Sequence, residues 1–457
     1  MPRFPMRIKQ LIPFLLAPLL VPVAIANPYE TTLKNGMRII VKEDRRAPTA
    51  VQMVWYRIGS MDEVDGASGV AHVLEHMMFK GTPNVGPGEF NKRVAAAGGR
   101  DNAFTSRDYT AYFQQVPKEK LEDMMQLEAD RMRHLNVDAK EFEQEIKVVM
   151  EERRMRTDDN PQSKLFEQMN AVAFQAHPYR RPIIGWMNDL ETMTAADAKA
   201  WYDTWYMPNN AYAVITGDVD HKAVFALAEK YYGALESQTL PLRKPQAEPA
   251  QEGTRKVTVK APAELPVLIM GYKAPTLRDI EKDSDPYALD MLSAILDGHN
   301  AARFNKKLVR EDKVALSVGI DYDPTSRGPS MIYLHGSPSE GKTVADLEAA
   351  LRAEILRIQQ EGVSEPELKR AKAQLLAGQV YKLDSMFGQA MEIGQTEAAG
   401  LPYQKLDQML KKLQKVSAAE VKAVANKYFK DDTLTIGILD PQPLDGKPRR
   451  PAVAIRH

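Results

Sequence analysis

The chain has 457 residues, 44% hydrophobic and 27% charged, the make-up of a globular protein with a large buried core. Basic and acidic residues number 61 each, so the formal charge is zero and no general attraction to nucleic acid or anionic lipid is implied. Cysteine is absent, which excludes disulfides and thiolate ligands and leaves His, Asp and Glu to hold any metal.

The first 26 residues, MPRFPMRIKQLIPFLLAPLLVPVAIA, place Arg3, Arg7 and Lys9 ahead of an apolar run from Leu11 and end in Ala24-Ile25-Ala26. This is the form of a secretory signal peptide cleaved after Ala26. A membrane anchor is the weaker reading, because the run is short and carries three prolines. Removal of this segment leaves 58 basic against 61 acidic residues. No other segment approaches the roughly 20 apolar residues of a membrane span, so no stable membrane insertion is expected. Export without cysteine suits a bacterial periplasm.

TTLKNGMRIIVKED reads as two strands around the Asn35-Gly36 turn, and TAVQMVWYRIGS as a third. Helical periodicity follows at 68–79, 88–97, 118–135 and 138–157, broken by the strand-like DYTAYFQQV at 108–116. The expected fold class is α+β.

Two internal similarities stand out. Residues 194–218 parallel 417–440, each an N-cap with an acid three residues on, then a helix, a turn and a closing strand. Residues 136–152 likewise parallel 362–378. The stretch LESQTLPLRKPQAEPAQEGTRK between the halves, rich in Pro, Gln and charge, has no apolar period and reads as a linker. The expectation is a domain at 27–235, a linker at 236–255, a homologous domain at 256–445 and a tail at 446–457.

Chemistry concentrates in GVAHVLEHMMFKGT. On a helix, His72 and His76 lie four apart on one face and can offer two imidazoles to one ion, with Glu75 at the edge of that face. Val70, Val73, Leu74, Met77, Met78 and Phe79 make the helix apolar on most other sides. A buried polar trio there must find partners or cost several kcal/mol, and Zn²⁺ would supply them. A nearby carboxylate, Glu75, could then take a proton from a metal-bound water. The third ligand must come from another element, and EFEQEIKVVMEERRM is the best source. Glu145 and Glu152, about 700° apart on a helix, share a face, whereas Glu151 points about 100° away. Glu152 is therefore chosen as ligand and Glu145 as an acceptor orienting a ligand histidine or the substrate end. Aligning Val137 with Val363 sets Glu152 on Gly378 and Glu145 on Ala371, so only one half retains the carboxylate pair.

HVLEH, the glutamate 76 positions after its second histidine, GGRDNAFTSRDYTAYF and HPYRRPIIGW resemble the pitrilysin/insulinase-type inverted zincins, which include the mitochondrial processing peptidase. The resemblance covers nearly the whole chain after the leader. It implies two duplicated domains, each a mainly antiparallel sheet packed with helices and together forming half of a clamshell. It also implies a zinc endopeptidase cutting peptides or unfolded segments. His72, His76 and Glu152 would match the ligands of one zinc ion per chain, Glu75 the general base and Glu145 the additional acid. Asn102, Ala103 and Phe104 would fall on a substrate-binding edge strand, and Phe79 on the pocket beside the scissile bond.

Many members carry in the second half an Arg followed seven residues later by a Tyr; here Arg310 is present, but that place falls on Leu316 or Ser317, with Tyr322 a poorly aligned substitute. Family clamshells are often built from four such domains and this chain supplies two, so the resemblance implies a partner, identical or different. The missing tyrosine points to a related metal-free subunit in a heterodimer rather than a second copy. The alternative is a non-catalytic binding or assembly subunit; the intact His72, Glu75, His76 and Glu152 set favours the enzyme. The other histidines, His134, His177, His221, His299, His335 and His457, show no ligand spacing.

Overall fold

The computed structural model describes residues 28–444. The leader at 1–26 and the tail at 446–457 lie outside the described residues.

The predicted hairpin forms as β1 (Tyr29–Thr32) and β2 (Arg38–Glu43), paired antiparallel. Gly36 turns the corner at φ 88°, and the Asn35 amide ties the turn to the carbonyls of Tyr232 and Leu235 at 2.7 and 2.9 Å. With β3 (Thr49–Tyr56), β4 (Arg100–Thr105), β5 (Thr110–Pro117) and β6 (Ala211–Gly217) they build a sheet in the order β1-β2-β6-β3-β5-β4. The second sheet contains β7 (Arg255–Pro262), β8 (Val267–Ala274), β9 (Ala315–Tyr322), β10 (Ser330–Pro338) and β11 (Leu434–Gln442) in the order β7-β11-β8-β10-β9. In each sheet one pair is parallel, β2 with β6 and β7 with β11, and the other pairs are antiparallel. Apart from the extra β1, the two sheets have one topology, which is the duplication that the repeats foretold. The expected α+β class is therefore what forms.

The predicted helices appear as Val70–Met77, Glu89–Ala96, Leu121–His134 and Ala139–Arg153, the last running on into a π-helical turn at Arg154–Asp158. Asp138 caps the fourth, accepting the Lys140 and Glu141 N–H groups at 2.9 and 3.0 Å.

Each half also lends a helix to the other half's sheet. Helix Pro161–Ala173 lies on β7 and β11, where Leu165 and Met169 pack among Val259, Ile269 and Leu439. Helix Met386–Ala398 lies on β3 and β6, where Met386, Ala390 and Ile393 pack among Met53, Trp55 and Val214. The repeat offset that sets Val137 on Val363 sets Pro161 on Phe387, so the exchanged helices are themselves repeat counterparts. Both faces of β3 are thereby covered, which accounts for its near-continuous apolar run.

Residues 236–252 carry neither helix nor strand. They are strapped down: the Glu248 carboxylate accepts the Gln175, Ala176 and His177 N–H groups at 2.8, 3.0 and 2.9 Å, and Arg243 pairs with Asp62 at 3.2 Å.

Gly394 sets how closely the exchanged helix approaches the first sheet. A Cβ there would stand 2.1 Å from the Trp55 ring, while the Tyr212 hydroxyl donates to the Gly394 carbonyl at 2.7 Å. Gly394→Ala is expected to lower stability by about 1–3 kcal/mol through overpacking, measured by chemical denaturation.

Candidate metal centre

All eight residues of helix Val70–Met77 are buried. Its entry is built by groups remote in sequence. Glu63 accepts the Gly69 and Ala71 N–H groups, both at 2.9 Å, although burial outweighs those bonds and pushes its carboxyl up to about 8. Gly69 adopts φ 90°, and a Cβ there would meet the Ile184 carbonyl oxygen at 2.6 Å. Ser68 donates to Asp189 at 2.5 Å and accepts from the Trp186 N–H at 2.9 Å, stapling the helix start to the end of HPYRRPIIGW.

The helix packs against Ala139–Arg153, and three ligand-type side chains meet between them. His72 Nε2 stands 3.8 Å from Glu152 Oε1, and His76 Nε2 3.3 Å from Glu152 Oε2. One donor atom from each of the three lies within 4.8 Å of the others. Ligands about 2.1 Å from a tetrahedral ion stand about 3.4 Å from one another, so this donor set fits Zn²⁺ in composition and spacing. His76 Nδ1 meets Glu145 Oε1 at 2.8 Å, and the other Glu145 oxygen takes Lys80 Nζ. Donation of the Nδ1 proton to Glu145 leaves the lone pair on Nε2, the side facing Glu152. Arg156, carried by the π-helical turn, pairs with Glu152.

Glu75 Oε2 accepts the Thr105 hydroxyl of β4 at 2.5 Å, and burial pushes its carboxyl above the usual range. Burial alone would lower the His76 imidazolium, but Glu145 and Glu152 outweigh it and raise the group to about 9. Burial alone would raise Glu152, yet His76, His72 and Arg156 hold it down at about 2.

Glu75 and His72 open onto a cleft of about 760 Å³. Its walls include Asn102, Ala103, Phe104 and Arg107 from the first half and Val267, Tyr333 and His335 from the second. Strand β4 ends its sheet and bonds only to β5, so its outer edge borders the cleft.

The sequence candidates divide accordingly. His72, His76 and Glu152 converge, Glu145 backs His76, Glu75 faces the cleft, and Asn102, Ala103 and Phe104 line it. Phe79 is only 7% exposed and sits in the core among Phe90, Tyr112 and Arg131, outside the residues lining the cleft. Arg310 is exposed and also outside that lining, and Tyr322 spends its hydroxyl on the Pro275 carbonyl at 2.6 Å. Lys80, Arg156, Thr105 and Glu63 were not anticipated. Lys80 follows His76, and Arg156 follows Glu152, by the four residues of a helix face, a readable signal. Thr105 and Glu63 carry none.

His221, Glu43 and Asp220 form a second close group at the surface, in which Glu43 accepts both the N–H and the Nδ1 of His221, at 3.0 and 2.8 Å.

Residues 38–186 match the family model described as Insulinase (Peptidase family M16), and residues 192–375 match the Peptidase M16 inactive domain. The chain is 31% identical over 424 residues to the zinc protease PqqE of Helicobacter pylori, covering 90% of this chain and 92% of that protein. It is 26% identical to an uncharacterized zinc protease, YmxG, of Bacillus subtilis, covering 88% and 95%. The crystal structure of a protease from Helicobacter pylori superposes with a TM-score of 0.86 at 30% identity over 91% of this chain and 99% of that one. The periplasmic protease PqqL from Escherichia coli shares the fold, with a TM-score of 0.78 at 20% identity, over 91% of this chain but 48% of its own. The chain belongs to peptidase family M16. The second half, in which no ligand trio lies among the described residues, is the part that matches the family's inactive domain.

Because His76 titrates near 9 without metal, it holds below that pH a proton that a metal must displace. Zinc titrated calorimetrically at about pH 7.5, in buffers of different ionisation enthalpy, should release about one proton, with affinity rising roughly tenfold per pH unit up to pH 9. Glu145→Gln, which removes the charge that raises His76, should diminish the release.

Proposed function

We propose that the protein is a zinc-dependent endopeptidase acting on peptides or unfolded polypeptide segments. The observation that carries this reading is the meeting of His72, His76 and Glu152 beside a cleft into which Glu75 projects. Those three residues would hold the ion, which when bound supplies Lewis acidity to a water and to the scissile carbonyl.

The remaining work falls to the chain's own side chains. Glu75 takes the proton of the attacking water and returns it to the leaving amine; burial makes the carboxylate a stronger base, and Thr105 holds its direction. Glu145 fixes the His76 ring, and Lys80 holds Glu145. The free edge of β4 can pair with an extended substrate through its main chain, leaving sequence preference to pockets around Asn102, Ala103 and Phe104. A folded substrate could not present such a strand.

The exposure of Arg310 away from its own cleft supports pairing with a related metal-free chain, or with a second copy, whose groups would complete the site. Arg3, Arg7 and Lys9, the apolar run and Ala24-Ile25-Ala26 support export to a bacterial periplasm. A non-catalytic assembly subunit is the rival reading, and the absence of a tyrosine at Leu316 or Ser317 favours it. Glu75, which contributes nothing to a scaffold by facing an open cleft, weighs against it.

The test is cleavage of a mixed library of unstructured peptides by the zinc-loaded chain, read by mass spectrometry. Glu75→Gln should keep bound zinc while losing at least about 100-fold in rate, and Glu152→Gln should lose the zinc itself. Loss of zinc in Glu75→Gln would reassign Glu75 as a ligand. Silence of the zinc-loaded wild type, alone and with added partner chain, would favour the assembly subunit.

A further inference from the structure

The duplication preserves a cavity as well as a fold. In the first half, helix Val70–Met77 packs on the edge strand β4 and on helix Ala139–Arg153, and the cleft opens in front of it. In the second half, helix Asp285–Asp297 packs on the edge strand β9 and on helix Glu365–Asp384, and a cavity of about 570 Å³ opens in front of it. The exchanged helices correspond too: Pro161–Ala173 borders the cleft through Gln162 and Phe166, and Met386–Ala398 borders the cavity through Gly388 and Glu392. These residues match pairwise at the repeat offset.

The chemistry of the two spaces differs. Glu75 stands beside Thr105, the last residue of β4; Asp290 stands beside Tyr322, the last residue of β9. Asp290 is thus the positional counterpart of the proposed base, without a metal trio behind it, since Glu145 and Glu152 are replaced by Ala371 and Gly378. Asp290 lines the cavity, and among the described residues no group hydrogen-bonds or ion-pairs with it. Burial pushes its carboxyl up to about 6, and the Asp323 carboxylate adds to the rise while the Lys382 ammonium only partly opposes it. Asp323 and Glu392 share the lining, against the single ammonium of Lys382, so the field inside favours a cation. An apolar stretch of the wall is built by Leu277, Met391, Met409 and Leu413, with Tyr287 and Tyr322 also in the lining.

We infer that this cavity is a second ligand site, taking a protonated amine on an aliphatic stem, with the ammonium on Asp290 and the stem against the apolar wall. A primary ammonium on Asp290 adds the positive charge that the single Lys382 leaves short against Asp290, Asp323 and Glu392. The stem removes apolar surface from water. The inference stands whether or not the first cleft proves catalytic.

Calorimetric titration of the full chain with n-pentylammonium chloride tests it, alongside the capped peptide acetyl-Gly-Lys-Gly-amide. Saturable binding is expected, unchanged by added Zn²⁺ and absent for N-pentylacetamide, which keeps the stem and loses the charge. Asp290→Asn should weaken binding by about tenfold or more with little change in melting temperature. Should that variant fail to fold, Met409→Trp, which fills the cavity from its outer wall, should abolish binding instead. Binding of both probes would make a peptide lysine an acceptable occupant, and binding of the free amine alone would restrict the site to small amines; either supports the inference. No saturable binding, or equal affinity in wild type and variant, would overturn it.

Discussion

The constraint on which the rest depends is the burial of one carboxylate, Glu152, between two imidazoles at the junction of two packed helices. A charge in that position is costly unless its neighbours compensate it, and here they do so in series. His72 and His76 face Glu152 from the first helix, Arg156 backs it from the π-helical turn, and Glu145 with Lys80 fixes the far side of His76. Moving either helix along its axis would leave a buried charge unmatched. The site therefore demands a rigid frame, and Glu63 at the helix entry, with Ser68 and Asp189 beside it, provides one.

That frame belongs to a duplicated architecture whose halves are locked together by exchanged helices. Each sheet would otherwise present an apolar face to water, and each is covered by the helix that the other half supplies. The cleft lies at this junction, so its walls come from both halves although His72, His76 and Glu152 come from one. In the second half, Ala371 and Gly378 stand where Glu145 and Glu152 stand in the first, and Ala371 is wholly buried. Where the first half gathers His72, His76 and Glu152, the second half has a packed helix pair and a cavity whose lining includes Asp290, Asp323 and Glu392.

The legible parts of the sequence were those governed by local period. His72 and His76 at i and i+4, and Glu145 and Glu152 seven apart, must share helix faces wherever those helices go. The Asn35-Gly36 hairpin, the capped helix at Ala139–Arg153 and the two repeats are of the same kind. The edge strand showed itself only within NAFTSRDYTAYF, where the chain makes two strands, β4 and β5, around a turn at 106–109. Phe79 illustrates the limit: the family resemblance implies a pocket beside the scissile bond, but the guanidinium of the buried Arg131 and the rings of Phe90 and Tyr112 hold it in the core.

What the sequence determined by itself was which side chains share a face, because helix and strand periods are properties of the backbone alone. It also determined that the chain is duplicated and that only its first half carries the His72–His76 pair and the Glu145–Glu152 pair. The tertiary structure decided which faces meet. It brought Thr105 to Glu75 across 30 positions, Glu63 to the start of helix Val70–Met77, and helix Met386–Ala398 onto β3, where Thr49 and Met386 meet across 337 positions. It also sent Arg310 to the outside surface. Such pairings have no period, since they follow from how apolar faces find cover once the whole chain has collapsed.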